Sequence, residues 1–525
     1  MGICRVFRSL AAVAVLAATV QVAEAANYPL ELTNIGPVGT RGMSANNRIF
    51  RAYPGLVYNI RAAVVGGATP FTFALTNAPE GMSIDSAGEI TWANPQASAT
   101  PTISVTDAEG TRVTATWTIN VTTSGFKFVD ATNGRAAANN GCASSCGSGT
   151  LASPWRSLTD LMLNDAGSDI TYFRAGVYNV SQVPSSFRQS IGSVWERVVV
   201  SESGSTAGSV IWLGYPNETP VFDLACGSCA SGLLIRHAGD SVYMDGLEVR
   251  NPAIIGFQFE ADGAYRGPTY RNLRMHDLTR GGDGTNAAFI MTTSSYPQVS
   301  YGMVLQDSTF WNVPANAVTV KTYSLSKPLI ENTVHYNADV ALELKADTRQ
   351  FTVRANHLFN ISRTAIGGNM HGCAGCSGGA DLSTTRGEIL FNLVQAGNAT
   401  ALELNQDGQA LEVYVSRNTL IGRVTVRNAD GADGPFYFYR NVIVNEDNGT
   451  PAGSHVYHLS VSAPGRVSHI ENLVGYASTN IVDTAGNLTG GYASFIGSRG
   501  YQGGGGGTFS LPGAVRGLRI MTGGL

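Results

Sequence analysis

The chain has 525 residues, a formal net charge of −4 at pH 7 and 14% charged residues. This balance gives no reason to expect a nucleic acid as partner, because a strongly anionic ligand would require a local basic patch. The 62 glycines, and apolar residues that occur in short alternating runs instead of stripes of helical period, predict an all-β protein.

The N-terminal segment has the pattern of a secretory signal peptide. Arg5 and Arg8 precede the apolar run 10–22, which leads into the small-residue sequence 23–26. We therefore expect residues 1–26 to be removed and the mature protein to be secreted or periplasmic. No later stretch reaches the roughly 20 apolar residues that a spanning helix needs, so we expect a protein that does not span the membrane.

Residues 27–122 read as a small antiparallel sandwich, because short alternating runs are broken by Gly, Pro, Asn and Asp. Three segments within them, 67–75, 78–85 and 103–110, closely resemble the bacterial putative-Ig (cadherin-like) family. The resemblance implies an Ig-like β-sandwich that acts as a spacer or an adhesive unit. We find no catalytic constellation in this region.

Residues 123–495 begin with segments that resemble the entry of pectate-lyase-like β-helix proteins, namely 126–130, 154–158 and 172–178. Residues 209–223 resemble an early coil of the same superfamily. The resemblance implies a right-handed, single-stranded parallel β-helix. A Gly-rich C-terminal tail follows at 496–525. We expect a short helix over 157–164 to cover the open end of the first coil, since an uncapped β-helix would expose a sheet edge.

A repeat supports the β-helix independently of any family. An Asn or Asp, followed within three residues by an aliphatic or aromatic residue, recurs at intervals of 23 to 27 residues, with longer steps where loops are added. Asn suits a tight corner because it tolerates left-handed backbone geometry and can bond to neighbouring backbone. We therefore predict that one corner holds Asn332, Asn356, Asn392, Asn418 and Asn441. The full series is Asp245, Asn272, Asp307, Asn332, Asn356, Asn392, Asn418, Asn441 and Asn472.

Six cysteines follow the signal segment as three closely spaced pairs. In an oxidising compartment such pairs predict local disulfides that clamp loops. A zinc site or a redox pair is the alternative, because two C-x-x-C pairs could supply four tetrahedral ligands. The pairs are Cys142 with Cys146, Cys226 with Cys229, and Cys373 with Cys376.

Strands precede the predicted corners and can be aligned with one another. The aligned segments are 317–321, 341–345, 365–369 and 401–405, and 288–292 and 423–427 fit less tightly. Because side chains alternate across a strand, we expect the second and fourth positions to face the interior and the first, third and fifth to face outwards.

The outward positions form two columns in this alignment. The third-position column is Ile290, Thr319, Glu343, Gly367, Glu403 and Thr425, and the fifth-position column is Thr292, Lys321, Lys345, Asn369, Asn405 and Arg427. Neighbouring coils lie about 4.8 Å apart, so Lys321 and Lys345 are predicted to stack. A like-charge pair lowers the pKa of one ammonium and can supply a neutral amine as base.

These columns favour a lyase that acts on an acidic polysaccharide. We predict Lys345, Lys321 and Arg427 as catalytic residues, with Arg427 binding the uronate carboxylate. Predicted substrate-binding residues are Glu343, Glu403, Asn369, Asn405 and His371. The sequence Glu343-Leu344-Lys345 faintly resembles the Glu and Lys strand of the alginate and chondroitin lyases of this fold. That resemblance implies roles for Lys345 and, as a calcium ligand, Glu343.

The sequence departs from those lyases where they have an Arg-His strand, because this chain has the run from Gly367 to His371. We assign no cofactor, although oxygen atoms of Glu343 and Glu403 could bind Ca²⁺. No calcium-loop motif is present in the sequence.

Two other functions stay open. Glu343 and Glu403 are predicted to lie two coils, or about 9 to 10 Å, apart, near the upper end for an inverting hydrolase. The glycines at 367 and 368 would form a notch between them, as glycine in a strand often marks the close approach of a ligand. The motifs of the pectin hydrolases of this fold are not present in order.

The second alternative is a non-catalytic glycan-binding adhesin or matrix protein, in which these columns are only a solvated sheet. The insertion 370–386 reads either as a substrate-shaping loop or as a disulfide-stiffened surface loop.

Overall fold

The computed structural model describes most of the chain from residue 26 onwards, and all structural statements refer to the residues it describes. The described ranges are 26–40, 43–164, 170–191, 195–201, 209–225, 233–237, 241–261, 268–280, 286–293, 300–367, 385–406, 411–428, 436–445, 457–461, 467–470 and 473–476. The predicted signal segment and the predicted C-terminal tail lie outside these ranges, apart from residue 26.

The N-terminal part is a β-sandwich with an aromatic core. Tyr58, Trp92 and Trp117 are buried in it, the Tyr58 hydroxyl donates to the Ile49 carbonyl at 2.8 Å, and the Trp117 indole donates to the Tyr58 hydroxyl at 3.3 Å. A buried polar group needs such a partner, so these bonds fix the core. Its strands are Glu31–Leu32, Arg51–Ala52, Tyr58–Arg61, Val64–Val65, Thr72–Thr76, Met82–Ile84, Glu89–Trp92, Thr102–Thr106, Arg112–Thr116 and Asn120–Val121.

The rest is a parallel β-helix whose coils contribute one strand each to a twelve-stranded parallel sheet, here called the first face. Consecutive strands in this sheet come from consecutive coils, as a solenoid requires. Its strands are Phe126–Val129, Ile170–Phe173, Ser209–Gly214, Ser241–Asp245, Thr269–Arg271, Val304–Gln306, Leu329–Glu331, Phe351–Arg354, Thr385–Leu390, Leu411–Ser416, Phe436–Tyr439 and Val467–Ile470.

The remaining strands form an eighteen-stranded sheet, parallel except for one antiparallel hairpin at Arg188–Ile191 and Trp195–Ser201. Its other strands are Gly176–Asn179, Pro220–Asp223, Leu233–His237, Glu248–Arg250, Ile255–Ala261, Arg274–His276, Ala287–Thr293, Ser300–Tyr301, Thr309–Ser326, Val334–Arg349, His357–Gly367, Leu393–Gln406, Thr419–Asn428, Val442–Asn445, Tyr457–Val461 and Leu473–Tyr476.

The long strands of this sheet bend partway along and so cover two sides of the β-helix. The register shifts between Val313 and Asn316, where the longest strand turns. We call the side before the bend the second face; it contains 309–313 and the segments in register with it. The side after the bend is the third face; it contains 316–321 and the segments in register with it. The predicted right-handed parallel β-helix with an N-terminal Ig-like sandwich is thus confirmed.

The predicted asparagine corner is present between the first and second faces. The side chains of four buried asparagines bond in a continuous ladder, in which each of the first three amides donates to the next at 2.9 to 3.0 Å and all four donate to a backbone carbonyl. They are Asn356, Asn392, Asn418 and Asn441.

Asn332 lies at the same corner but one position earlier than expected. It has φ +56° and precedes Thr333, which bonds to Asn356, so Asn332 aligns with Ala355. The left-handed residues in the later coils are Ala355, Phe391, Arg417 and Arg440. The ladder asparagines therefore satisfy buried backbone between coils, whereas the turn geometry belongs to the preceding residue.

The open end of the β-helix is covered by the helix Leu158–Asn164, as predicted. Leu158 and Leu161 join the apolar core of the β-helix. Ser157 caps the helix, because its hydroxyl accepts the Asp160 amide at 3.1 Å and donates to the Asp160 carboxylate at 2.6 Å. The helix thus closes the core where no coil precedes.

The sandwich packs along the first face. Ala63 and Val65 of the sandwich form an apolar cluster with Val304 and Leu329 of that sheet. At the far end, Asn27 donates to the Glu388 carboxylate at 2.9 Å. The Ig-like unit is therefore packed against the β-helix, and its role as a spacer or adhesive unit stays a prediction.

Candidate functional site

The third face brings the predicted third-position residues into one column. The register pairs Thr319 with Glu343, Glu343 with Gly367, and Glu403 with Thr425. A Cβ atom placed on Gly367 would lie 3.7 Å from the Glu403 Cβ, which puts these two residues on neighbouring coils. Glu343 and Glu403 therefore flank a position that carries no side chain.

The fifth positions are also in register. Thr292 pairs with Lys321, Lys321 with Lys345, and Asn405 with Arg427. Parallel strands are spaced by about 4.8 Å, so the backbones of the two lysines are adjacent. Arg427 lies further along the same face, beyond the coil of Asn405.

The first positions do not face outwards, contrary to the expectation. Ala317, Ala341, Ala365 and Ala401 are fully buried and belong to the apolar core. They lie where the long strands bend between the second and third faces, so strict alternation fails there. Small side chains suit this position because the bend crowds the interior.

The third-position column is largely covered. Ile290, Thr319 and Thr425 are buried, and Glu343 and Glu403 are half-buried. Buried polar side chains need hydrogen-bond partners, so these residues are not a freely hydrated strip of sheet.

Asn316 is a site residue that the sequence analysis missed. Its buried amide donates to the Glu343 carboxylate and, at 3.0 Å, to the Thr319 hydroxyl, which itself donates to Glu343 at 3.3 Å. Asn316 and Thr319 thus hold one oxygen of the Glu343 carboxylate in place. The Asn316 Oδ1 atom is buried and has no hydrogen-bond partner within the described part of the chain. The available signal was its alignment with Val340, since an amide there departs from the neighbouring coil.

Gly367 is required for close packing. A Cβ at this position would lie 2.6 Å from Thr364 Cγ2, so a larger residue would force a shift. The glycine therefore leaves the position between Glu343 and Glu403 without a side chain.

Several predicted residues lie outside the described residues. They are Asn369, His371, Cys226, Cys229, Cys373 and Cys376. Cys142 and Cys146 form a disulfide with a Cα–Cα distance of 5.6 Å, as predicted for the first pair.

Within the described ranges, no three His, Cys, Asp or Glu side chains are grouped so that they could share a metal ion. No helix in those ranges is long and apolar enough to cross a membrane.

Residues 49–122 match the family model of the putative Ig domain. This match agrees with the sandwich, which we now call the Ig-like domain.

Two solved structures are similar to the chain. A pectate lyase, Pel9A, has 12% sequence identity and a TM-score of 0.36, covering 70% of this chain and 82% of that protein. A rhamnogalacturonan lyase has 14% identity and a TM-score of 0.35, covering 69% and 90%. Among curated proteins, none matches the sequence.

Proposed function

We propose that the protein is an exported polysaccharide lyase that cleaves a uronate-containing polymer by β-elimination on the third face. The observation that carries the proposal is the register, which pairs Lys321 with Lys345 next to the held carboxylate of Glu343. Like charges opposite one another destabilise a sheet, so a chemical role is the reason that we propose for this pair. The proposal includes export by the predicted signal segment and the boundaries 27–122 and 123–495 for the two domains.

In the proposed reaction, the Lys345 amine removes the proton from the carbon that carries the uronate carboxylate. Lys321 favours the neutral amine by charge repulsion. The electron pair left on that carbon forms a carbon–carbon double bond as the adjacent glycosidic carbon–oxygen bond breaks. The leaving oxygen takes a proton from water. Arg427 neutralises the carboxylate, whose charge increases during proton removal.

The remaining polar residues of the face bind the sugar in this proposal. Glu343, fixed by Asn316 and Thr319, accepts a substrate hydroxyl. Glu403 and Asn405 contact the sugar on the next coil. Asn369 and His371 keep their predicted roles on the strength of the sequence alone.

The test is a screen of acidic and neutral polysaccharides that is read by ultraviolet absorbance and by reducing ends in parallel. A lyase gives both signals, because its product carries an unsaturated uronate. Lys345→Ala should lower the rate about 100-fold or more, since it removes the base. Thermal unfolding of the same variant checks that it is folded, and Lys127→Ala, a lysine near the start of the β-helix, is the matched control. Full activity of Lys345→Ala would contradict the proposal.

A second function is favoured by one specific observation. Glu343 and Glu403 flank Gly367, an arrangement that suits an inverting hydrolase with an acid and a base on opposite sides of the bond. In that case reducing ends would appear without ultraviolet absorbance, and Glu403→Gln would abolish cleavage. In a lyase, Glu403→Gln should have a smaller effect. Binding without either signal would identify a glycan-binding adhesin or matrix protein.

A further inference from the structure

The second face carries a repeated pair of residues that the third-face chemistry does not use. In four coils that are neighbours in the sheet, a planar ring at the end of the face is followed by an Asp or Asn at the next corner. The pairs are His276-Asp277, Trp311-Asn312, Tyr336-Asn337 and Phe359-Asn360. The register places the rings in one column, His276 beside Trp311, Trp311 beside Tyr336, and Tyr336 beside Phe359.

The rings stack on one another, and all but the buried His276 are partly exposed. His276 and Trp311 have ring centroids 4.0 Å apart and planes within 8°. Trp311 and Tyr336 are 6.0 Å apart, and Tyr336 and Phe359 5.1 Å, again nearly parallel. Trp311, Tyr336 and Phe359 are partly exposed, unlike the aromatic side chains of the core. Since each face is covered by the next ring, the column presents ring edges, which carry partial positive charge and suit oxygen atoms.

The corner residues form a second row beside the rings. Asn312 donates to Asp277 at 2.8 Å, Asn337 donates to Asn312 at 3.0 Å, and Asn360 donates to Asn337. The three asparagines are exposed, and all four residues have φ between +51° and +57°. A carboxamide has two N–H donors and two acceptor lone pairs. The row uses one of each from Asn312 and Asn337, so the others can bond to a ligand in solvent.

Charged groups at the start of the column balance one another. His276 lies 2.8 Å from the Asp277 carboxylate and 3.4 Å from that of Glu248, and these two groups raise the pKa of its imidazole against the opposing effect of burial. Arg250 bonds to Asp223 at 2.8 Å. These charged groups are therefore engaged with one another at one end of the column.

We propose that this ring and amide surface is a second polysaccharide-binding site, distinct from the third face and aligned with the axis of the β-helix. A polysaccharide is the occupant that fits, because it repeats along one direction and offers hydroxyls to the amides and oxygen atoms to the ring edges. A peptide would instead pair with a free strand edge, whereas this surface is the side of a sheet whose strands are already paired. The site would hold a long polymer while the third face cleaves it, and in this respect it rests on the proposed function.

The decisive variant removes the amides and keeps the turns. Glycine accepts positive φ without strain, so the triple change Asn312→Gly, Asn337→Gly and Asn360→Gly should fold. Asn217→Gly is the matched control, since Asn217 is also exposed and has φ +62° but lies outside the row. Binding of the long polymer that the screen identifies is measured by affinity electrophoresis, together with the cleavage rate of a short oligosaccharide of the same sugar.

We expect the triple variant to bind the polymer about tenfold or more weakly and to cleave the short oligosaccharide at the wild-type rate. Tyr336→Ala should weaken polymer binding in the same way, and Tyr336→Phe, which keeps the ring, should have little effect. Unchanged polymer binding in both the triple variant and Tyr336→Ala would overturn the second site and leave the lyase proposal untouched. Polymer binding that depends on the row, with no cleavage of any substrate, would instead overturn the lyase proposal and support this site.

Discussion

The first and third faces of the same β-helix use charged residues in opposite ways. On the first face, under the Ig-like domain, Glu331 lies 2.7 Å from Arg354 and 3.5 Å from Arg61, and all three are buried. On the third face, the register sets Lys321 beside Lys345. Opposite charges in contact hold the two domains together, whereas the role that we propose for the like charges in register is chemical. We therefore expect changes on the first face to affect stability and changes on the third face to affect activity.

The largest effect is expected for Glu331→Ala. The two arginines hold the pKa of Glu331 below its usual value despite burial, which indicates that its charged form is well compensated. Removing the carboxylate leaves a buried cation without its partner, so unfolding should become easier by about 3 to 5 kcal/mol in chemical denaturation.

Asp339→Ala is the control for that prediction. Asp339 pairs with Arg363 at 2.9 Å, but Arg363 is 56% exposed, and exposed pairs contribute about 1 kcal/mol or less. If Glu331→Ala lost as little unfolding free energy as Asp339→Ala, about 1 kcal/mol or less, the contact between the domains would not contribute to stability.

Glu388, also on the first face, should make stability depend on pH. Burial raises its pKa to about 7, and the Asn27 hydrogen bond and Arg354 only partly oppose this. An acid with a raised folded-state pKa stabilises the fold below its unfolded pKa and loses that contribution as pH rises through the folded value. The free energy of unfolding should therefore fall by roughly 2 to 3 kcal/mol between pH 5 and pH 8, counted at about 1.4 kcal/mol per pKa unit.

Glu388→Gln, which cannot ionise, is the control for the pH effect. Its stability should change less over this range than that of the wild-type protein, as measured by denaturation at each pH. The same slope in both proteins would assign the pH dependence to other groups.

The smallest effect on stability is expected for Lys321→Met, a change on the third face that should not destabilise the protein. This change removes one of two like charges and keeps a long side chain, so the unfolding free energy should stay within about 0.5 kcal/mol of wild type or rise. Cleavage of the polymer should fall at least tenfold if Lys321 tunes the base. A clear loss of stability would show that the lysine has a structural partner.

The sequence was sufficient for the overall architecture because a solenoid repeats its own pattern. Counting Asn and Asp located the corner, but Asn332 and Asn356 occupy neighbouring positions in it, since a left-handed turn and a buried ladder both favour asparagine. Alternation located Glu343 and Lys345 in their columns. It failed at Ala317 and its equivalents, because alternation assumes a straight strand and the strands bend there.

Other features depended on contacts that no local pattern encodes. The packing of the Ig-like domain follows from pairs such as Arg61 with Glu331, which are 270 residues apart in the sequence. Asn316 lies one residue before the aligned segment 317–321, so the outward columns did not include it. The ring and amide pairs lie on the second face, after the corner that holds the asparagine ladder. The alignment of outward columns covered only the strands before that corner. The roles of Lys345, Lys321 and Arg427 stay predictions, because register gives position and not chemistry.

The most direct test of the central claim is the mass of the products that the wild-type protein releases from an acidic polysaccharide. β-Elimination breaks the chain without adding water, so the new non-reducing end should be lighter by one water than a hydrolysis product and should contain the double bond. Lys345→Ala should release little of this product. New ends that carry the added water would contradict the lyase and favour the hydrolase that uses Glu343 and Glu403.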